Sequence, residues 1–219
     1  VAAIKAELHQ EIKDAHIIDI SHQVSPFNHT EAAYILTNAY KAFPKGSIHI
    51  IGVDSEFSPE NSHIVMFFDG HHFIGANNGI LSLIKGDRVP NKIVEINIHN
   101  NITSSFPVLD VFVKVAGHIS RKGSLDVIGK PITDIKEVTG VRPVINPTED
   151  QILGSVIYID NFGNVVTNIT EKLFSEYRKG RTYTIFAKSI KFSSIHTSYT
   201  EAINFSIPKE NRDEDGKKI

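Results

Sequence analysis

Short apolar runs closed by turn residues alternate with segments of helical spacing through the first 130 or so residues. That alternation restricts the fold more than any other feature of the chain. Residues 1–13 carry Ile4, Leu8 and Ile12, an i, i+4, i+8 stripe that predicts a helix. Residues 16–20 read as a buried strand, closed by Asp19-Ile20-Ser21-His22. Pro26-Phe27 turns the chain, and Asn28 or Thr30 caps a helix whose inner face is Ala33, Leu36, Ala39 and Tyr40. Pro44-Lys45-Gly46 stops it, and residues 47–53 form a second buried strand ending at Asp54. After a polar loop, residues 63–68 form a strand, Asp69-Gly70 is a hairpin turn, and Phe73-Ile74 returns as a strand. A short helix over 80–84, a strand over 93–98 and a helix over 109–121 follow. That last helix turns Val111, Phe112, Val115 and Ile119 inward and is ended by Gly123. The pattern predicts an N-terminal α/β domain, 1–140, with a largely parallel central sheet.

From 131 to 150 the pattern dissolves into Pro, Thr and charge, which places a domain boundary there. Beyond it come short strands over 153–160, 164–169, 182–187 and 190–195, with one helix over 171–177. They predict a small C-terminal β-barrel domain, 150–208, then a charged tail, 209–219, that is disordered or faces solvent.

The stretch 157–169, IYIDNFGNVVTNI, concentrates the chemistry. It opens and closes as strand, and Asp160, Asn161, Gly163 and Asn164 crowd around a single aromatic, Phe162. Gly and Asn tolerate positive φ, so the plain reading is a β-hairpin with a polar tip. A carboxylate, an amide and an aromatic held together also suit a flat, polar ligand. Asp54 is the second candidate, because ligands of α/β sheets bind at the carboxyl ends of strands.

Composition narrows the functional classes. Net charge is −2 with both signs mixed, which argues against nucleic acid as a partner. No apolar run approaches the length of a membrane span, and no signal-peptide pattern is present, so a cytoplasmic protein is expected. Cysteine is absent, which removes disulfides, thiolate metal sites and a cysteine nucleophile. The chain has 11 histidines, but the densest pair, His71-His72, falls on adjacent strand residues that point to opposite faces, so no metal is expected. Asn-x-Thr triplets at Asn28, Asn101 and Asn168 read as caps and turns. The chain begins without an initiator Met and as though inside a helix, so further residues are expected ahead of Val1 and near 199–204. No Walker, GxGxxG or GxSxG sequence occurs.

Five stretches in order resemble one family. Asp19-Ile20-Ser21-His22 is similar to D-I-T-H, and Val53-Asp54-Ser55 to the start of V-D-P-G-V-G. FIGANNGILSL (73–83) is similar to F-V-G-P-D-N-G-L-L-S-L. Ser105-Phe106 with Asp110-Val111-Phe112 is similar to T-F-H-G-R-D-V-F. IDNFGNVVTNI resembles IDxFGNxxTNI. Together they resemble the S-adenosyl-L-methionine (SAM) hydroxide adenosyltransferase and fluorinase/chlorinase family. The resemblance implies an N-terminal α/β domain followed by a small β-barrel. It also implies a homotrimer with SAM held between subunits, and hydrolysis of SAM to adenosine and L-methionine with no cofactor.

By the same resemblance, Asp54 holds the catalytic carboxylate position. Phe27 stacks near the substrate, Phe106 lines the adenosine pocket, and Asp160, Phe162 and Asn164 bind the methionine portion. These residue types suit a sulfonium with an amino-acid end. Hydrolases of the family use an Asp-Arg-His trio, and here the Arg position is Asn61 and the His position Pro107. The Asp of P-D-N-G is Asn77, and the family's first strand, with its T-D-F-G, would precede Val1. His63, two residues past the Arg position, is the nearest replacement in sequence, on the same side as Asn61 if the strand begins there. The alternative to hydrolysis is a protein of the same fold that binds SAM or adenosine without turning it over. Halogenation ranks third, because a carboxylate at position 54 repels halide.

Overall fold

The computed structural model describes residues 1–98, 104–138 and 140–212. The triplet at Asn101 and most of the charged tail therefore lie outside the described residues. The elements in chain order are α1 (Ala2–Glu11), α2 (His29–Ala39), β1 (Ile48–Ile50), β2 (His63–Phe68), β3 (His71–Ala76), α3 (Ile80–Lys85) and β4 (Lys92–Ile96). A π-helical turn (Val108–Phe112) runs into α4 (Val113–Ser120). Then come α5 (Leu125–Ile128), β5 (Gly129–Pro131), β6 (Val144–Ile145), β7 (Ile152–Leu153), β8 (Val156–Ile159), β9 (Val165–Thr167), α6 (Glu171–Arg178), β10 (Ile185–Ala187), β11 (Ile190–Phe192) and α7 (Tyr199–Ala202). The chain divides into two compact units. One comprises residues 1–144 and 153–168, the other 145–152 and 169–219.

The first unit is built on a sheet of order β1-β3-β2-β4-β5. Only β1 and β3 run parallel; β3–β2, β2–β4 and β4–β5 are antiparallel. The sheet is therefore mixed, which corrects the expectation of a largely parallel one. Strands covered by helices on both faces read as continuous apolar runs, the pattern that ordinarily marks parallel strands. Here Asp69-Gly70 reverses the chain in two residues at φ 51° and 75°, and so fixes β2 and β3 as antiparallel neighbours. Residues 16–20 form no strand, and Ile18 is exposed.

Alternation along the strands feeds two cores. Val65, Ile74, Val94 and Ile96 face the layer of α1 and α4, where they meet Leu8, Phe112, Val115 and Ile119. Ile64, Met66, Phe68, Phe73 and Ile93 face the opposite layer, with Ala32, Ala33 and Leu36 of α2 and Ile80, Leu81 and Ile84 of α3. The stripe read from the sequence holds in α1, where Leu8 is buried and Ile4 and Ile12 pack beside it. Asn28 caps α2 by accepting the Glu31 amide at 3.1 Å. Asn168 accepts the Ser155 amide at 2.8 Å, so two of the three triplet asparagines act as a cap and a strap.

Beside Tyr40, just past the end of α2, the second core holds polar groups. His49 and His71, 5% and 0% exposed, share a hydrogen bond of 3.2 Å between Nε2 and Nδ1. His49 stacks on Phe73 with ring centroids 4.9 Å apart, and Tyr40 packs edge-on to both imidazoles. Burial first, and the neighbouring imidazole second, push His49 down to about 4.

The second unit is organised around α6, capped by Thr170, and the hairpin β10–β11. Phe174 packs edge-on to Tyr183 at 5.0 Å. Beyond residue 150, β7 pairs with β6, and β8–β9 and β10–β11 are two-stranded antiparallel ladders; among the described residues these pairs do not join into a barrel. Among the described residues no helix is long and apolar enough to cross a membrane.

Candidate functional site

The site grows from the loop that leaves β1. Gly52 admits Val108 closely, since a Cβ there would lie 3.3 Å from its Cγ2. Two residues on, Asp54 adopts the left-handed region at φ 46°, a conformation that Asp tolerates better than most residues. Its carbonyl is pinned from two sides. Asn78, 2% exposed, donates Nδ2 to the carbonyls of Val53 (3.0 Å) and Asp54 (3.1 Å). Asn61 donates Nδ2 to the carbonyls of Asp54 (3.3 Å) and Glu56 (3.0 Å). Two amide side chains, Asn78 buried and Asn61 partly so, thus hold the Asp54 backbone in a sparsely populated region.

The Asp54 carboxylate meets His29, the first residue of α2, at 3.0 Å between Oδ2 and Nε2. Sequence reasoning missed this partner. The two residues are 25 positions apart, and no motif links them. His63, the residue chosen from sequence, instead enters the interior at 1% exposure. Its Nε2 pairs with the Ser55 carbonyl at 2.9 Å, and its ring lies edge-on to Phe57 and Phe112. The strand begins at His63 rather than at Asn61, because Asn61 closes a tight turn with Ser58. The shared facing assumed for the two residues therefore has no strand to enforce it.

Phe27 lies two residues before His29 at φ 58° and is 76% exposed, and its carbonyl accepts the His29 amide. Phe106 is 43% exposed just ahead of the π-helical turn, whose Val108 packs on Gly52. Ser104 Oγ braces the segment by accepting the Phe106 amide and donating to Asp110. Phe27 thus adjoins the histidine that meets Asp54, and Phe106 lies two residues before the valine that packs on Gly52. Pro107 caps the π-helical turn, where its missing N–H costs nothing. Asn77 straps residue 136, its Oδ1 accepting the Lys136 amide at 2.8 Å.

The hairpin β8–β9 belongs to the same unit. Tyr158 packs on Tyr34 of α2 with centroids 5.1 Å apart, and Asn161 donates to Gln23 at 3.1 Å. At the tip, Asp160 Oδ1 accepts the amides of Phe162 (2.9 Å) and Asn164 (2.8 Å), and Oδ2 accepts Asn164 Nδ2 (2.7 Å). The Asn164 side chain, ahead of the loop amides, holds the Asp160 carboxyl below the usual carboxylate value. Asp160 is therefore the clasp of its own turn. Phe162 projects outward at 92% exposure. Between hairpin and α2 lies a cleft of about 460 Å³ lined by Ser21, His22, Gln23, Glu31, Tyr158 and Asn161 among others. Its hydroxyls, imidazole, amides and carboxylate offer both donors and acceptors beside the apolar Ile20, Ile35 and Ile159. Among the described residues no group of three or more His, Cys, Asp or Glu is arranged to hold a metal ion.

The fold and site define a chain with a mixed-sheet α/β unit, a carboxylate held in the loop after β1 and a polar hairpin packed against α2. Residues 1–129 match the SAM hydroxide adenosyltransferase N-terminal domain, and residues 154–206 match the C-terminal domain. The chain belongs to the SAM hydroxide adenosyltransferase family. It is 30% identical over 201 residues to a protein of Methanocaldococcus jannaschii named (R)-S-adenosyl-L-methionine hydrolase, covering 88% of this chain and 71% of that one. A protein of the same name from Salinispora tropica is 24% identical over 170 residues, covering 75% of this chain and 65% of that one. A crystal structure of an uncharacterized conserved protein from Thermotoga maritima superposes with TM-score 0.80 at 25% identity, covering 91% of this chain and 79% of that one.

Proposed function

We propose that this protein hydrolyses SAM to adenosine and L-methionine. Water attacks the ribose 5′ carbon, a C–O bond forms, and the C–S bond breaks with its electron pair passing to sulfur. Methionine leaves as a neutral thioether, so the leaving group needs no acid. One proton must leave the attacking water, and Asp54 is the group assigned to take it. The observation that carries the reading is Asp54 itself, a carboxylate of a family member held in the left-handed region in the loop after β1. The names of the relatives favour hydrolysis over binding alone. A carboxylate at the nucleophile position also disfavours halide.

Phe27 and Phe106 serve adenine and the sulfonium, whose positive charge favours aromatic faces. Asp160, Phe162 and Asn164 serve the methionine end. The protein acts in the cytoplasm as a homotrimer, with the site completed by a neighbouring subunit, and the C-terminal ladders belong to the barrel expected of the family. What supports the assembly is the exposure of Phe27, Val156, Ile159, Phe162 and Val165, large apolar groups on the faces that would carry substrate.

The test is incubation with SAM in ¹⁸O-labelled water. Adenosine carrying ¹⁸O at its 5′ position and unlabelled methionine are expected, and Asp54→Asn should lose adenosine release while still binding SAM. Binding without release in the unsubstituted protein would replace the enzyme by a SAM-binding protein. A monomer in sedimentation at micromolar concentration would remove the trimer.

A further inference from the structure

We infer that His29 is the positioning residue for Asp54, fixing from the start of α2 the carboxylate that receives the proton of the attacking water. This rests on the hydrolase reading above. The contact is one hydrogen bond, Nε2 to Oδ2 at 3.0 Å, between side chains 26% and 31% exposed. Both backbones that present it are fixed. His29 follows the Asn28 cap, whose side chain takes the Glu31 amide and whose carbonyl takes the Ala32 amide. Asp54 is held at φ 46° by the amides of Asn61 and Asn78 on its carbonyl. A pair presented by two pinned backbones loses little further entropy in forming, unlike two long side chains meeting at a surface.

The neighbouring polar groups are committed elsewhere. Asn61 reaches the Asp54 main chain, but its Nδ2 serves two carbonyls. His63 Nε2 pairs with the Ser55 carbonyl. Glu31, the next charged residue on α2, accepts the Ser25 amide through Oε2. Among the described residues, His29 is the side chain whose donor meets the carboxylate itself. Bonded through Oδ2, the carboxylate can no longer rotate freely, and Oδ1 remains as the acceptor for water. Orientation of a base by a third group is the logic of a catalytic triad, here with an imidazole orienting a carboxylate.

The test compares His29→Phe, which keeps a ring but removes the donor, with His29→Gln, whose amide N–H reaches about as far as Nε2. SAM affinity is measured by calorimetry, adenosine release by chromatography and stability by thermal melting. Loss of a hydrogen bond to a charged group predicts that His29→Phe lowers kcat by roughly 10- to 100-fold. The Kd for SAM should stay within about twofold, and His29→Gln should recover part of the rate. In an Asp54→Asn background, His29→Phe should cost little more, since the group it positions is already lost. A His29→Phe variant that keeps kcat within about twofold would overturn the inference and leave the hydrolase reading standing. Equal loss of affinity, stability and rate in both variants would also overturn it, by making His29 a structural residue. An unsubstituted protein that binds SAM and releases no adenosine would sink both readings together.

Discussion

Acidification should destabilise the first unit through the imidazoles beside Tyr40, and the size of the effect follows from where they sit. In the unfolded chain His49 takes up a proton near 6.5; in the folded chain burial and the neighbouring His71 hold it down to about 4. Between those values the unfolded state binds more protons than the folded state, so stability falls as pH falls. Below about 4 both states are protonated, and the contribution of His49 stops changing. The full gap corresponds to about 3 kcal/mol, of which about 2 kcal/mol is lost between pH 6.5 and pH 5. His71 and His72 are lowered too, each first by burial, and act with the same sign. With a denaturant slope of about 1–3 kcal/mol per molar, the urea midpoint should drop by about 1 M on going from pH 7 to pH 5. Far-UV circular dichroism is the natural readout. His49→Phe keeps the stack on Phe73, now 4.9 Å between centroids, and removes one titrating group, so it should flatten the dependence without abolishing it. A midpoint that does not move over this range, or a His49→Phe protein with an unchanged slope, would refute the reasoning.

Three further outcomes follow from the geometry. Gly129→Ala places a Cβ 1.9 Å from the Glu95 carbonyl oxygen across the β4–β5 ladder, so it should cost about 1–3 kcal/mol or more by forcing the edge strand away; an unchanged melting temperature would contradict the packing. Asp160→Ala removes three hydrogen bonds from the hairpin tip, so amide exchange at Phe162 and Asn164 should accelerate. Because the Asp160 carboxyl is held below its usual value, the clasp should be complete above about pH 4 and loosen as pH falls further, which exchange measured against pH would test. Tyr158→Ala breaks the ring contact with Tyr34, and faster proteolysis in 153–168 should accompany it; equal cleavage rates would mean that the hairpin is held by other groups.

Local chemistry was legible in the chain. The Asp69-Gly70 reversal, the α2 cap (Asn28 rather than Thr30), the α1 stripe and the polar tip at 160–164 each depend on residues within a few positions of one another, and each appears in the fold. The order of five short motifs was likewise enough to point to the family. Strand direction was not legible, because an apolar run reports burial on both faces and says nothing about which way its neighbour runs. The run at 16–20 shows the same limit, since apolar spacing predicts a strand but only pairing with a neighbouring strand makes one. Near Asp54, sequence offered His63 as a neighbour because it is close along the chain. In the fold the Asp54 carboxylate bonds His29, 25 residues away at the start of α2, while His63 is buried with its Nε2 on the Ser55 carbonyl. A side chain's partner is fixed by where two backbones are packed, and that distance is not written in the spacing between them.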